Sequence, residues 1–341
     1  MAYISFQPSD FFNASIYTGT ASSQALTGVG FQPDLGWFKA RNATEGQAWF
    51  DSVRGANEAM YSNTTAAQTT RSSSVMSFDS DGYTLGGDGD TNAAYNYASW
   101  NWKGGTTTGL SGGTITPSPY SFSATSGFSI IRYAGNSTSG ATIPHGLGVA
   151  PEVVMVKRIN AISAWSMYWK VLGATQYIYL NIDAGDSADS SFWNNTAPTS
   201  TVFSVGNAAY TNTGYNYVAY CFAGVKGYSK FGIYTGNGNT DGPFVYTGFR
   251  PACVIQKRSD STGSWYIYDN KREGYNPNND YLYPDGNYVE GTADTIDLLS
   301  NGFKIDGTTD TSQNASGGEY IYAAFAEFPF VSSNSIPTVA R

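Results

Sequence analysis

The sequence predicts an all-β protein made of three tandem antiparallel β-sandwich repeats. One segment recurs three times, and aromatic and β-branched residues alternate in short stretches between Gly, Asn, Asp and Ser turns. No convincing amphipathic helix longer than about three turns interrupts this pattern. Each repeat has about one hundred residues, which is the size of one compact sandwich.

The recurrent segment is a predicted buried strand that starts at a proline and ends at a lysine. Its three copies are GFQPDLGWFKARN (30–42), GVAPEVVMVKRIN (148–160) and GFRPACVIQKRSD (248–260). A proline is tolerated at the first residue of a strand, and the apolar residues after it recur at every second position. We expect the lysine stems to cover apolar surface while their ammonium groups reach water; these lysines are Lys39, Lys157 and Lys257.

Four further blocks accompany this strand in the same order in all three copies. A tyrosine-bearing strand precedes it, and a tryptophan strand, a turn-rich hairpin and a last aromatic strand follow it. We predict that the recurring tryptophans pack in the core rather than bind a ligand; they are Trp37, Trp49, Trp165 and Trp265. One face of each last strand is also assigned to the core, with Trp100, Tyr220 and Ala323 at its centre.

Composition divides the chain into five segments. A lead-in and the first repeat cover 1–104, a Gly-, Thr-, Ser- and Pro-rich linker covers 105–127, the second repeat covers 128–224, the third covers 225–330, and a tail covers 331–341. Only a short connection separates the second repeat from the third. We therefore expect these two to be tightly coupled and the first to be hinged by the linker.

Composition and charge argue against several classes of function. Aromatic residues make up 16% of the chain, charged residues make up 13%, and the net charge is −8, whereas nucleic-acid-binding surfaces are normally basic. No signal-peptide-like segment and no long apolar run is evident, so we expect neither secretion nor membrane insertion. Cys221 and Cys253 lie in different repeats and are interpreted as reduced packing residues of a chain folded in cytosol.

Residues suited to catalysis or metal binding are sparse. The single histidine, His145, lies in a Pro/Gly turn and is better interpreted as structural than as part of a catalytic triad. One His and two distant Cys do not make a zinc site. The loop with Asp79, Asp81, Asp88 and Asp90 could hold calcium, but it lacks a loop pattern that ends in glutamate, so solvated turns are the default. We predict no catalytic residue, no bound metal and no cofactor.

Several acidic residues could in principle serve a glycosidase. Such an enzyme needs two carboxyl groups about 5–10 Å apart in a cleft, and the sequence marks no such pair. Asp51 with Arg54, and Asp269 with Arg272, share one spacing, and we interpret each as an ion pair that orders the loop after the tryptophan strand. The second repeat has Trp169 in place of the aspartate, so the fold does not require the pair.

Aromatic residues in turn-rich segments are the remaining candidates for a contact surface. Tyrosine and tryptophan faces beside Asn, Asp and Ser side chains can stack on sugars, and aromatic residues are also enriched at protein interfaces. A glycan contact and a contact with a partner or a neighbouring repeat both stay open for Tyr61, Tyr95, Trp193, Tyr215, Tyr275, Tyr281 and Tyr283.

Long ordered blocks cover nearly the whole chain. They include FQPSDFFN, GVGFQPDLGWFKARN, FDSVRGA, SFDSDGYTLG, SWNWKGG, HGLGVAPEVVMVK, YCFAGVKGYSKFGIYTGNGNTDGPFVYTGFRPA, YIYAAFAE and IPTVAR. These blocks resemble a family of virion structural proteins of marine tailed bacteriophages, which carry tandem lectin-like domains. The resemblance implies a jelly-roll or concanavalin A-like sandwich for each repeat, and it brings no catalytic residues.

The resemblance also implies a place on a virus particle that assembles in the host cytoplasm. We therefore expect a non-enzymatic protein on the particle surface, as a tail fibre, an appendage or a capsid decoration. Its partners would be other virion proteins, with the chain present as an oligomer or in many copies. The alternatives are a protein that binds a host surface glycan for adsorption and, less favoured, a polysaccharide-degrading enzyme. Nucleic acid and membrane are not expected as partners.

Overall fold

The computed structural model describes residues 4–272 and 278–329, which form an all-β structure of 26 strands in six sheets. All the strand pairs in these sheets are antiparallel, so the predicted all-β, antiparallel fold class is confirmed at that level. Each repeat contributes two sheets. We refer to them as its inner sheet and its outer sheet, because one of the two faces the other repeats. The predicted tail, 331–341, lies outside the described residues.

The first repeat contains a 3₁₀ turn (Pro8–Asp10) and nine strands. The strands are β1 (Phe12–Thr18), β2 (Gln24–Leu26), β3 (Leu35–Ala40), β4 (Ala48–Asp51), β5 (Glu58–Tyr61), β6 (Thr69–Thr70), β7 (Val75–Asp79), β8 (Gly82–Leu85) and β9 (Asn96–Trp102). The inner sheet has the order β1-β9-β3-β4-β5-β6, and the outer sheet has the order β2-β8-β7.

The second repeat has the same plan with an added edge strand. Its elements are β10 (Tyr120–Ser123), β11 (Phe128–Ala134), β12 (Ala141–Pro144), β13 (Val153–Arg158), β14 (Ser166–Trp169), β15 (Gln176–Tyr179), β16 (Ser187–Ala188), α1 (Ser190–Trp193), β17 (Val202–Val205) and β18 (Asn216–Phe222). The inner sheet has the order β10-β11-β18-β13-β14-β15-β16, and the outer sheet pairs β12 with β17.

The third repeat has two sheets of four strands. Its elements are β19 (Ser229–Thr235), β20 (Asp241–Tyr246), β21 (Phe249–Arg258), β22 (Trp265–Asp269), β23 (Asn278–Tyr281), β24 (Gly291–Leu299), β25 (Gly302–Asp306), α2 (Thr311–Asn314) and β26 (Glu319–Pro329). The inner sheet has the order β19-β26-β21-β22, and the outer sheet has the order β20-β25-β24-β23.

Each inner sheet is buried on both faces. One face packs against the outer sheet of the same repeat, as Phe38, Phe50 and Tyr83 do in the first repeat. The opposite faces of all three inner sheets meet in one common core, which includes Trp37, Trp49, Trp100, Trp102, Met155, Trp165, Met167, Trp169, Tyr220, Phe222, Ile255, Trp265, Ile267, Ala323 and Phe325. The core positions predicted for the four recurring tryptophans and for the last strands are therefore confirmed.

The common core contradicts the predicted hinge of the first repeat. Tryptophans of that repeat pack directly on the other two, for example Trp49 on Trp165 with ring centroids 5.1 Å apart. The predicted linker also contains strand β10, and the buried Ser121 in that strand donates a hydrogen bond to Asp34 of the first repeat at 2.8 Å. The β10 part of this segment therefore forms a packed edge of the second repeat and is not a free connection.

The register of the tryptophan strand differs from the predicted alignment. Trp49 pairs with Trp37, whereas Trp265 pairs with Lys257, which is one step further along the buried face. Gln47, two residues before Trp49, therefore occupies the position that a tryptophan has in the second and third repeats.

We expect a chain without residues 1–104 to lose its cooperative fold. The deletion would expose the inner faces of the second and third inner sheets, and burial of apolar surface stabilises a fold by about 25 cal/mol per Å². Thermal unfolding followed by circular dichroism should show a sharp transition for the intact chain and none for the 105–341 fragment. A native-like transition in the fragment would contradict the dependence on a common core.

Candidate functional site

Three seams join the repeats into a closed ring. The first seam joins residues 61–68 to 157–165, the second joins 179–186 to 257–265, and the third joins 283–290 to 39–47. In each seam the first range belongs to one repeat and the second range belongs to the next. Because the third seam returns to the first repeat, every repeat has two neighbours.

In each of the first two seams, a buried tryptophan forms a hydrogen bond between the repeats. Trp165 Nε1 donates a hydrogen bond to the backbone oxygen of Tyr61 at 2.8 Å, and Trp265 Nε1 donates to the backbone oxygen of Tyr179 at 2.9 Å. A buried carbonyl without a donor is costly, so each indole N–H satisfies an acceptor that the neighbouring repeat supplies.

A glutamine replaces the tryptophan at the third seam. Gln47 Nε2 donates to the backbone oxygen of Tyr283 at 2.8 Å, while its Oε1 accepts from Trp37 Nε1 at 2.7 Å. The amide therefore makes the same contact between repeats as the indole does at the other seams. Its second polar atom is satisfied by a tryptophan of its own repeat.

A short motif that the sequence analysis did not use places the three accepting carbonyls. It reads Tyr61-Ser62-Asn63, Tyr179-Leu180-Asn181 and Tyr283-Pro284-Asp285. In each copy the Asn or Asp side chain accepts from the backbone N–H of the seam residue in its own repeat, at 2.9, 2.8 and 3.2 Å respectively. The motif thus fixes the donor residue of one repeat and offers a carbonyl to the next. A Tyr-x-Asn/Asp pattern repeated in all three copies was the signal available in the sequence.

The predicted ion pair of the first repeat is confirmed, and it also joins two repeats. Arg54 Nε lies 2.5 Å from Asp51 Oδ2, and both side chains are buried. Tyr220 of the second repeat donates its hydroxyl to the same carboxylate oxygen at 2.6 Å. The pair therefore orders its own loop and holds a neighbouring sheet.

The predicted ion pair of the third repeat has the same arrangement. Arg272 Nε lies 2.7 Å from Asp269 Oδ2, which also accepts from Trp100 Nε1 of the first repeat at 3.0 Å. Burial alone would raise the pKa of Asp269, but the arginine outweighs this effect and keeps that pKa below its usual value.

Further charges reinforce the third seam. Arg41 of the first repeat contacts Glu290 at 2.7 Å and Asp280 at 3.1 Å, and Arg272 contacts Glu290 at 3.0 Å. The backbone N–H of Glu290 also donates to the oxygen of Arg41 at 2.8 Å. The seam that closes the ring is therefore held by charge-assisted bonds as well as by packing.

The expectation that the ammonium groups of the three recurring lysines reach water is wrong. Lys39, Lys157 and Lys257 are fully buried, and their ammonium groups donate to backbone oxygens. Lys157 reaches Thr65 across the first seam at 3.0 Å, and Lys257 reaches Asp183 across the second at 2.9 Å. Burial lowers the pKa of Lys157 to about 7 and the pKa values of Lys39 and Lys257 to about 8.

The aromatic residues proposed as contacts are scattered over the molecule. Trp193 is only 2% exposed and belongs to the core between the sheets of the second repeat, so it cannot contact a partner. Tyr61 is half-buried at the first seam, and Tyr95 is half-buried in the first repeat. Tyr215 is 40% exposed, and the guanidinium of Arg158 lies 4.1 Å from the centre of its ring.

The other proposed contacts belong to the third repeat. Tyr281 and Tyr283 are half-buried and pack with Tyr266, at centroid distances of 5.3 and 5.1 Å. Tyr275 lies outside the described residues. The structure therefore brings together only Tyr281 and Tyr283 of the predicted set.

The described residues offer no arrangement of ligands for a metal, since no group of three or more His, Cys, Asp and Glu side chains converges there. In the predicted calcium loop, Asp81 accepts the backbone N–H groups of Gly28 and Gly30 at 3.0 and 2.6 Å. His145 is buried and lies 3.1 Å from the backbone oxygen of Thr199, which fits a structural turn residue. Both cysteines are buried and unbonded to each other.

No helix in the described ranges has the length and hydropathy to cross a membrane.

The family described as a domain of unknown function (DUF7483) matches residues 7–329. The match includes most of the chain, so the protein belongs to this family. Neither the curated proteins nor the solved structures contain a match to the chain.

We expect Asp269→Asn to destabilise the protein by about 3–5 kcal/mol, because it leaves the buried Arg272 guanidinium short of one charge partner. The matched control is Glu152→Gln, which breaks an exposed ion pair with Lys170 at 2.9 Å and should cost less than about 1 kcal/mol. Urea unfolding followed by tryptophan fluorescence gives both values. Equal effects of the two variants would contradict a buried tie at the third seam.

We also expect stability to rise as the pH is raised from about 7 to about 10. In this window the folded state releases the proton of Lys157, whose pKa is lowered to about 7, while the unfolded chain keeps it up to its usual value of 10.5. Below the window both states are protonated, and the fold bears the cost of a buried ammonium. The urea midpoint of Lys157→Met should therefore depend less on pH than that of the wild type. Parallel pH profiles for the two proteins would show that Lys157 titrates normally.

Proposed function

We propose that this protein is a non-enzymatic structural protein of a tailed-phage virion, displayed on the particle surface as a tail fibre, an appendage or a capsid decoration. The resemblance of its sequence blocks to such virion proteins is the starting point of the proposal. The finer fold, in which each repeat is a jelly-roll of the concanavalin A-like type, is part of the same proposal.

The observation that carries the proposal is the use of the buried charged side chains. Asp51 and Asp269 are each paired with a buried arginine and accept a hydrogen bond from a neighbouring repeat, and the buried lysines donate to backbone carbonyls. A hydrolase would need carboxyl groups that face a substrate in a cleft. Side chains that instead tie one repeat to the next support a scaffold, and they leave a polysaccharide-degrading enzyme as the least supported alternative.

The surface suits contacts with other proteins of a particle. Large apolar side chains are exposed on separate parts of the chain, among them Ile162, Phe244, Tyr246 and Phe328. A net charge of −8 spread over 341 residues gives little steering, so contacts of this kind would rely on aromatic and apolar surface. We propose that many copies bind other virion proteins during assembly in the host cytoplasm.

The proposal is tested on purified particles. Antibodies against the protein should label intact virions from a density gradient, and mass spectrometry should find the chain in the same fractions. A host cytosolic enzyme followed in parallel measures contamination. A chain found only in the soluble lysate would overturn the virion assignment, and release of reducing sugar from host envelope polysaccharide by the pure protein would support the enzymatic alternative instead.

A further inference from the structure

A cleft of about 250 Å³ opens where the second seam meets residues 285–288 of the third repeat. Its lining residues are Asn181, Ile182, Asp183, Ser264, Asp285 and Tyr288. Pockets for drug-sized ligands measure about 300–1,000 Å³, so this cleft suits a smaller ligand, such as a single ring.

Asn181, one of the residues that line the cleft, has a side-chain amide nitrogen available to a ligand. Asn181 is 7% exposed, and its Oδ1 is held by the backbone N–H of Trp165 at 2.8 Å. Its Nδ2 donates to no other described residue, although the side chain lines the cleft. This N–H group therefore has water or a ligand in the cleft as its acceptor. Beside it stand the hydroxyl of Ser264 and the carboxyl of Asp285, whose Oδ1 accepts from Trp265 at 3.2 Å.

One wall of the cleft is an exposed aromatic ring. Tyr288 is 61% exposed, and the ring of Tyr283 supports it edge-on at 5.5 Å. Ile182, which is 38% exposed, contributes apolar surface to the same cleft. An open aromatic face beside convergent hydrogen-bonding groups is suited to a ring with an apolar face and a polar edge.

Tyr288 and Ser264 have no equivalent in the first and second repeats. At the positions that correspond to Tyr288 and Ser264, counted from the Tyr-x-Asn/Asp motif and from the seam donor, they have Ala66 and Ala184, and Gly46 and Ala164. All three seams close the ring, so closure does not require the tyrosine or the serine. These side chains of the third repeat distinguish this cleft from the equivalent positions elsewhere in the ring.

We propose that this cleft binds one neutral pyranose ring, stacked on Tyr288, with its hydroxyl groups on Asn181 Nδ2, Ser264 Oγ and the Asp285 carboxyl. An anion is disfavoured because the Asp183 carboxyl lines the cleft, together with Asp285 where that group is ionised. A cation is disfavoured because Lys257 lies behind the cleft, 2.9 Å from the backbone oxygen of Asp183. Burial also raises the pKa of Asp285 to about 7, so near neutral pH much of this carboxyl can donate as well as accept. The proposal of a sugar-binding cleft does not depend on the proposal that the protein is part of a virion.

Saturation-transfer NMR on the intact chain tests this proposal. The probes are the methyl glycosides of glucose, galactose, mannose and N-acetylglucosamine, with tetramethylammonium as the cationic probe. We expect at least one glycoside to bind with a millimolar Kd. Tyr288→Ala should weaken that binding about fivefold or more without lowering the melting temperature. The matched control Tyr246→Ala removes a tyrosine that is 51% exposed elsewhere and should leave the affinity unchanged.

Asn181→Asp tests the polar floor separately. The variant keeps an oxygen for the backbone N–H of Trp165 and removes the Nδ2 donor, so glycoside binding should fall while the fold is kept. The proposal is overturned if no glycoside binds, if Tyr288→Ala and Tyr246→Ala have equal effects, if Asn181→Asp binds as the wild type does, or if tetramethylammonium alone competes for the cleft.

Discussion

The constraint on which the structure depends is that each inner sheet is apolar on both faces. A two-layer sandwich buries only one face of each of its sheets, so a single repeat would leave a row of tryptophan, methionine and phenylalanine side chains in water. Three such faces can cover one another if the repeats surround a common core. The seams then arise at the rims of that core, where backbone carbonyls of one repeat need donors from the next.

The ring departs from threefold equivalence at one hydrogen bond between repeats. Trp100 and Tyr220 each donate to the aspartate of a neighbouring repeat, but the corresponding residue of the third repeat is Ala323, which has no donor. The aspartate it would have met is replaced by Trp169, and both residues line the same small internal void. The aspartate acceptor and its donor from the neighbouring repeat are therefore lost together, although the indole N–H of Trp169 is itself buried without a hydrogen-bond partner among the described residues. Loss of both partners of a buried hydrogen bond can be nearly neutral, whereas loss of one is costly.

The sequence predicted which residues are buried better than it predicted what they are buried against. Period-two spacing places Trp37 and Trp265 on an inward face, and the spacing of Asp51 and Arg54 predicts their pair. The same spacing cannot tell an outer sheet from another repeat, so the common core went unpredicted and a Gly/Ser/Thr-rich segment was interpreted as a hinge. Trp49 was also matched with Trp165 and Trp265, whereas Gln47 is their structural equivalent. Sequence could not show this, because a glutamine amide and a tryptophan indole are different residues that donate to equivalent carbonyls.

A ring closed within a single chain has an evolutionary consequence. In an assembly of three identical chains, any substitution at a contact appears three times, so a new side chain must suit every copy of the contact at once. Here the three contacts are encoded by separate codons. The third seam has the Arg41 and Glu290 charges, while the second has the Trp265 tie and lies next to the cleft lined by Tyr288. A mutation can therefore change the side chains at one seam without changing the contacts at the other two. Those two seams continue to hold the repeats together.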